Sequence, residues 1–173
     1  MRIFMILFAF LSLSLAAPAR ADVEVGFWSQ DEGLELLHAF FTVKGRVAGK
    51  PVDSNYGFTA KAITPMILFG SVPGRMDTAE PAYVAASHRH FKLTVDDATY
   101  GRLMALVAKW SNGGPKSYNL RKRNCVHFIG EAARIVGLDV YDDPKLIKKP
   151  AHYIDAIVAR NPRLAAISTP RKK

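Results

Sequence analysis

The chain has almost no sulfur chemistry to spend on cross-links. Its 173 residues include a single cysteine, Cys125, so an intramolecular disulfide is excluded. Acidic residues are also scarce, 15 against 24 Lys and Arg, which leaves a net charge of +9. There is no His, Cys, Asp or Glu cluster at zinc-ligand spacing, so neither a metal nor another cofactor is expected. Internal repeats and low-complexity tracts are missing. No reading motif for nucleic acid is present, and nucleic acid is not an expected partner. Beyond the first residues, no apolar stretch approaches the roughly 20 residues that span a bilayer.

What is present begins with an export signal. Arg2 is followed by an apolar run from Ile3 to Leu15, broken only by Ser12 and Ser14, and then by Ala19-Arg20-Ala21. This is the pattern of a cleaved secretory signal over residues 1–21, leaving one domain over 22–173 with a basic C-terminal tail. The expected location is therefore exported, either periplasmic or secreted, with no transmembrane anchor after cleavage. Loss of Arg2 and Arg20 leaves 22 basic against 15 acidic residues, a charge of +7. The cations cluster at Lys116, Arg121, Lys122 and Arg123, at Lys145, Lys148 and Lys149, and at Arg171, Lys172 and Lys173. Such a protein suits anionic surfaces, envelope polymers or phospholipid head groups.

Apolar periodicity predicts strands at Val23–Trp28 and Leu36–Val43, a turn over Gly45–Pro51, and a second hairpin arm at Val52–Ala60. Pro65–Pro81 reads as a long loop with an apolar middle. Tyr83–Val95 reads as a further strand region, with His88 and His90 on one face. The clearest helix runs from Asp96, its N-cap, to Trp110. A second opens at Asn124 or Cys125 and stops at Gly137, and a third starts near Pro150. Strands and helices segregated in this way predict an α+β fold, an antiparallel sheet with helices packed on it.

A lone cysteine is most often a small buried hydrophobe. Cys125, however, opens a helix, where free N–H groups and the helix dipole favour a thiolate, and Arg121, Lys122 and Arg123 lie just upstream. Such a nucleophile needs a base, usually histidine. His127 is two residues on, about 200° around the helix, and is a poor partner. His152 reads as a surface residue. His38 interrupts the apolar run Leu36-Leu37-His38-Ala39-Phe40-Phe41, either as a satisfied core histidine or as a placed base.

The block Tyr118-Asn119-Leu120-Arg121-Lys122-Arg123-Asn124-Cys125-Val126-His127-Phe128-Ile129 resembles the Asn-Cys-x-His-Phe signature of the circularly permuted papain-like cysteine hydrolases. These include the permuted NlpC-like and the lecithin:retinol acyltransferase-like groups. In them a histidine on an early strand precedes the cysteine, and His38-Ala39-Phe40-Phe41-Thr42-Val43 is similar to that strand motif. The resemblance implies a permuted papain-like fold with Cys125 as nucleophile and His38 as base. Asn124 matches the family's asparagine and would support the site or cap the helix. A third residue would orient His38, and Asn55, Tyr56 and His90 are the candidates. No second histidine lies between His38 and His88, a departure from the acyltransferase-like members. The expected function is a cysteine-dependent hydrolase or acyltransferase acting on an amide or ester. Its substrate would be a cell-envelope molecule, a peptidoglycan peptide first and a lipid ester second. The alternative is a non-catalytic module of the same fold that binds an anionic envelope polymer.

Overall fold

A computed structural model describes residues 22–31, 38–112 and 117–170. The predicted leader, Lys116 and the Arg171-Lys172-Lys173 tail lie outside these residues. Among the described residues the strands are β1 (Asp22–Gln30), β2 (His38–Val47), β3 (Lys50–Ala60), β4 (Val72–Asp77), β5 (His88–Val95) and β6 (Ser117–Tyr118). They form one antiparallel sheet in the order β5-β1-β2-β3-β4-β6. The helices are α1 (Pro81–Ala86), α2 (Asp97–Asn112), α3 (Cys125–Ile135) and α4 (Pro150–Arg160). The α+β expectation therefore holds. No described helix is long and apolar enough to cross a membrane.

The sheet has one densely covered face. Val23, Val25 and Phe27 of β1 and Ala39, Phe41 and Val43 of β2 are fully buried there. Phe41 stacks on Phe128 of α3 at 5.6 Å, and Trp110 of α2 sets its edge against both Phe58 and Phe128. Helix α3 buries Phe128, Ile129, Ala132 and Ala133 against the sheet, and α4 buries Tyr153, Ile154 and Ile157. Each helix end follows from its sequence. Asp96 accepts the Thr99 amide at 2.8 Å, Gly137 ends α3 with φ +79, and Pro150 opens α4.

Three local readings change. The β2–β3 turn is only Ala48-Gly49, both at positive φ, because Val47 pairs directly with Lys50. Gly45 and Pro51 lie inside the strands. The expected loop at Pro65–Pro81 contains a 3-10 turn, Pro65–Leu68, and the strand β4. The expected strand from Tyr83 is split, since Pro81 starts the short helix α1 and β5 begins only at His88. The β1–β5 register also shifts between Phe27 and Trp28, which leaves His90 as an extra residue on β5.

Candidate active site at the start of α3

Asn124 fixes where α3 begins. Its Oδ1 accepts the amides of Val126 at 2.9 Å and His127 at 3.3 Å, and its Nδ2 donates to the carbonyls of Leu120 and Ile147, both at 2.8 Å. The side chain is 2 % exposed, so it is a built-in cap rather than a surface group. His127 folds back on this cap, its Nδ1 2.8 Å from Asn124 Oδ1 and 3.3 Å from Asn124 N. With Nδ1 unprotonated it accepts the Asn124 amide and closes a capping box, whereas the 2.8 Å approach to Oδ1 calls for the tautomer with a proton on Nδ1. His127 thus packs on the cap at the start of α3.

Cys125 is buried, 3 % exposed, as the first residue of the helix. Burial pushes its thiol up to about 11, while backbone hydrogen bonds from Ala39, Val126 and Cys125 itself pull the other way. Two of these amides belong to the helix start and one to β2. The Ala39 amide lies outside the β2–β3 ladder, which begins at Phe40↔Gly57. The buried Tyr118 hydroxyl senses the thiol, its pKa raised by burial and then by Cys125. The upstream cations do not gather around the sulfur. Arg123 lays its guanidinium on Trp110, 3.8 Å from the ring centre, and over Phe58 at 5.0 Å. Its Nε and Nη2 are buried without a hydrogen-bond partner, and burial lowers its pKa. Arg121 and Lys122 are exposed.

His38 is the first residue of β2 and its side chain faces away from α3. The imidazole stacks on Phe40 at 6.1 Å and sits over Gly57, where any added methyl would overlap His38 Nε2. Burial lowers its pKa to about 4, with the Asp77 carboxylate pulling it back up. It lines an open groove of about 630 Å³ with Phe40, Gly57, Asp77, Glu80 and Tyr83. The two predicted catalytic residues therefore come to the same end of β2 but on opposite sides. The thiol meets the Ala39 main chain, and the imidazole occupies the groove.

The three candidates for an orienting residue are held elsewhere. Asn55 lines the same groove, but its amide clamps the Ala79 main chain, accepting from N at 2.6 Å and donating to O at 2.9 Å. Tyr56 packs its ring at a tilt against Phe41, 5.6 Å between centroids, on the α3 side of the sheet. His90, the residue extruded by the bulge, is 2 % exposed. Its Nε2 lies 2.9 Å from Ser29 Oγ and its Nδ1 2.8 Å from Asp155 Oδ1. With the Nδ1 proton given to Asp155, Nε2 is left to accept the Ser29 hydroxyl. Sequence reasoning missed Ser29 and Asp155, which carry no local signal and meet only because α4 packs on β1 and β5. Ser29 is the cross-strand partner of Ala39, so this hydrogen-bonded chain reaches the rung that touches Cys125.

Among the described residues, no group of three or more His, Cys, Asp or Glu is arranged to hold a metal ion. No family model, curated protein or solved structure matches the chain.

Proposed function

We propose that this chain is an exported, permuted papain-like cysteine hydrolase or acyltransferase. Cys125 is the nucleophile and His38 the base, and the substrate is an envelope amide or ester, a peptidoglycan peptide first. The observation that carries this reading is the place of Cys125 as the buried first residue of α3 behind the Asn124 cap, where the nearby Ala39, Val126 and Cys125 amides favour the charged thiolate. Such donors hold a thiolate and, once it attacks, the oxyanion formed beside it. In this mechanism the thiol proton passes to the neutral imidazole as Sγ bonds to the carbonyl carbon. The imidazolium then protonates the departing amine or alcohol, leaving a thioester that water or an acceptor cleaves. Burial, which lowers the His38 pKa to about 4, keeps the ring neutral but also makes it a weak base, so the ring has to leave that burial before it takes the proton. The reading requires the ring to leave its place over Gly57 and turn around the end of the β2–β3 ladder.

The second reading is a non-catalytic envelope-binding module. It is favoured by the thiol's pKa near 11 and by the orientation of His38 into the groove. One experiment separates the two. Exported protein and its Cys125→Ser variant are incubated with purified cell wall, and Cys125 alkylation is followed with and without that substrate. The enzyme reading expects released product that falls at least about a thousand-fold in the variant, and faster alkylation when substrate is present. No product, with alkylation only after denaturation, leaves the binding module standing.

A further inference from the structure

The connection between β3 and β4 carries an apolar knob. Its 3-10 turn is pinned by Ile67, 4 % exposed, and closed by hydrogen bonds from Phe69 N and Gly70 N to Met66 O. The neighbouring side chains point outward: Ile63 and Met66 are each 63 % exposed, Leu68 72 % and Phe69 81 %. Scattered exposed apolar residues are ordinary, but four large ones on one short segment form a patch that calls for an apolar partner.

Beside the knob lies a cationic pocket of about 490 Å³, lined by Arg121, Pro144, Lys145, Ile147, Lys148 and Lys149, with no acid in its wall. Hydrogen bonds join the two features. Asn119 Nδ2 donates to Ser71 Oγ at 3.2 Å, two residues past Phe69. Asn119 Oδ1 accepts the amides of Arg121 at 2.9 Å and Lys122 at 3.1 Å. The turn bearing Arg121 and Lys122 is thus tied to the base of the knob, and Arg121 continues into the lysine pocket. Lys61, in the segment leading into the knob, is exposed. Asp143 accepts the Lys145 amide at 2.8 Å, and Asp77, which lines a groove with Glu80, Lys61 and Ile63, pairs with Arg75 at 2.9 Å.

We propose that this face docks on an anionic phospholipid bilayer. The side chains of Met66, Leu68 and Phe69 enter the acyl boundary, and a lipid phosphate is held among Arg121, Lys145, Lys148 and Lys149. An apolar tip with a basic collar matches the two layers of an anionic membrane, and neither half alone would select it. The inference stands apart from the role of Cys125, so a Cys125→Ser variant binds as the parent does.

The test is co-sedimentation of exported protein with phosphatidylcholine vesicles, with and without phosphatidylglycerol. Binding is expected only with phosphatidylglycerol. The Leu68→Asp/Phe69→Asp variant should bind at least about a hundred-fold more weakly, the effect of losing two buried side chains. A Lys148→Ala/Lys149→Ala variant should lose roughly five-fold per cation removed. A Phe69→Trp variant should show a blue-shifted emission increment over the parent on vesicle binding. All these positions are exposed, and unchanged far-ultraviolet circular dichroism checks the folds. Absence of binding to anionic vesicles, undiminished binding by Leu68→Asp/Phe69→Asp, or an unshifted Phe69→Trp each overturns the proposal. Full displacement by soluble polyphosphate with no Trp shift would assign the face to an anionic polymer instead.

Discussion

The two faces of the β1–β2 pair treat polar groups in opposite ways. On the face covered by α3 and α4, Ser29, His90 and Asn124 are buried with hydrogen-bond partners, and Cys125 is buried at the start of α3. On the other face, Phe40 stacks on Trp28 and meets Tyr83 of the short helix α1, which buries none of its own residues, and His38 lines a groove that stays open. Burial has acted on both members of the proposed pair, raising the thiol to about 11 and lowering the imidazole to about 4. Both shifts favour the uncharged form, so the resting protein keeps a neutral cysteine and a neutral histidine on opposite sides of one strand. An ion pair at rest, as in many thiol enzymes, is not the state described by these residues.

The sharpest way to break the comparison is on the covered face. Asn124→Ala removes a cap that serves two amides and two carbonyls, and should cost about 3 kcal/mol in urea unfolding. It should also loosen the start of α3, so Cys125 alkylation accelerates in the folded variant.

The open face is probed by acid. His38 is neutral in the folded and unfolded chain above pH 6.5 and contributes no pH dependence there. As pH falls below 6.5 the unfolded chain takes up the proton first, so stability is lost progressively until pH passes about 4. The loss reaches at most about 3 kcal/mol. His38→Gln should remove this part of the slope between pH 6.5 and 4, measured by urea unfolding. A smaller slope remains from His127, whose pKa burial also lowers.

The smallest expected change in stability, about 1 kcal/mol, comes from Gly57→Ala. Its methyl would overlap the His38 ring and stand 3.1 Å from Phe40 Cβ, and the ring is the part free to give. Proton titration by magnetic resonance should then find the His38 pKa risen from about 4 toward 6.5. Faster Cys125 alkylation in the same variant would sharpen the enzyme reading, because the displaced imidazole is the one that must reach the thiol. An unchanged pKa would mean that burial of His38 does not depend on its seat over Gly57.

Several elements were legible because their signals are local. Asp96 and Asn124 cap, Gly137 stops, Pro150 opens, and apolar spacing marks α2 and α3. In α2 the buried residues are Leu103, Leu106 and Trp110. The β4 strand was hidden because Pro73 and Gly74 sit inside it, next to the short edge strand β6. Tyr83 was taken into the wrong element because a six-residue helix leaves almost no periodic trace.

The amino-acid sequence by itself determined that Cys125 opens a helix behind an asparagine cap and that His38 begins a strand, since caps and strand patterns depend on neighbours within a few residues. It also determined which cations exist. Only the tertiary structure decided that His38 and Cys125 approach one strand end from opposite faces, and that a bulge aims His90 at Ser29 and Asp155. It likewise decided that Arg121 joins lysines more than twenty residues away. Facing direction depends on strand register, and register is set by packing between segments distant in sequence, which no local pattern records.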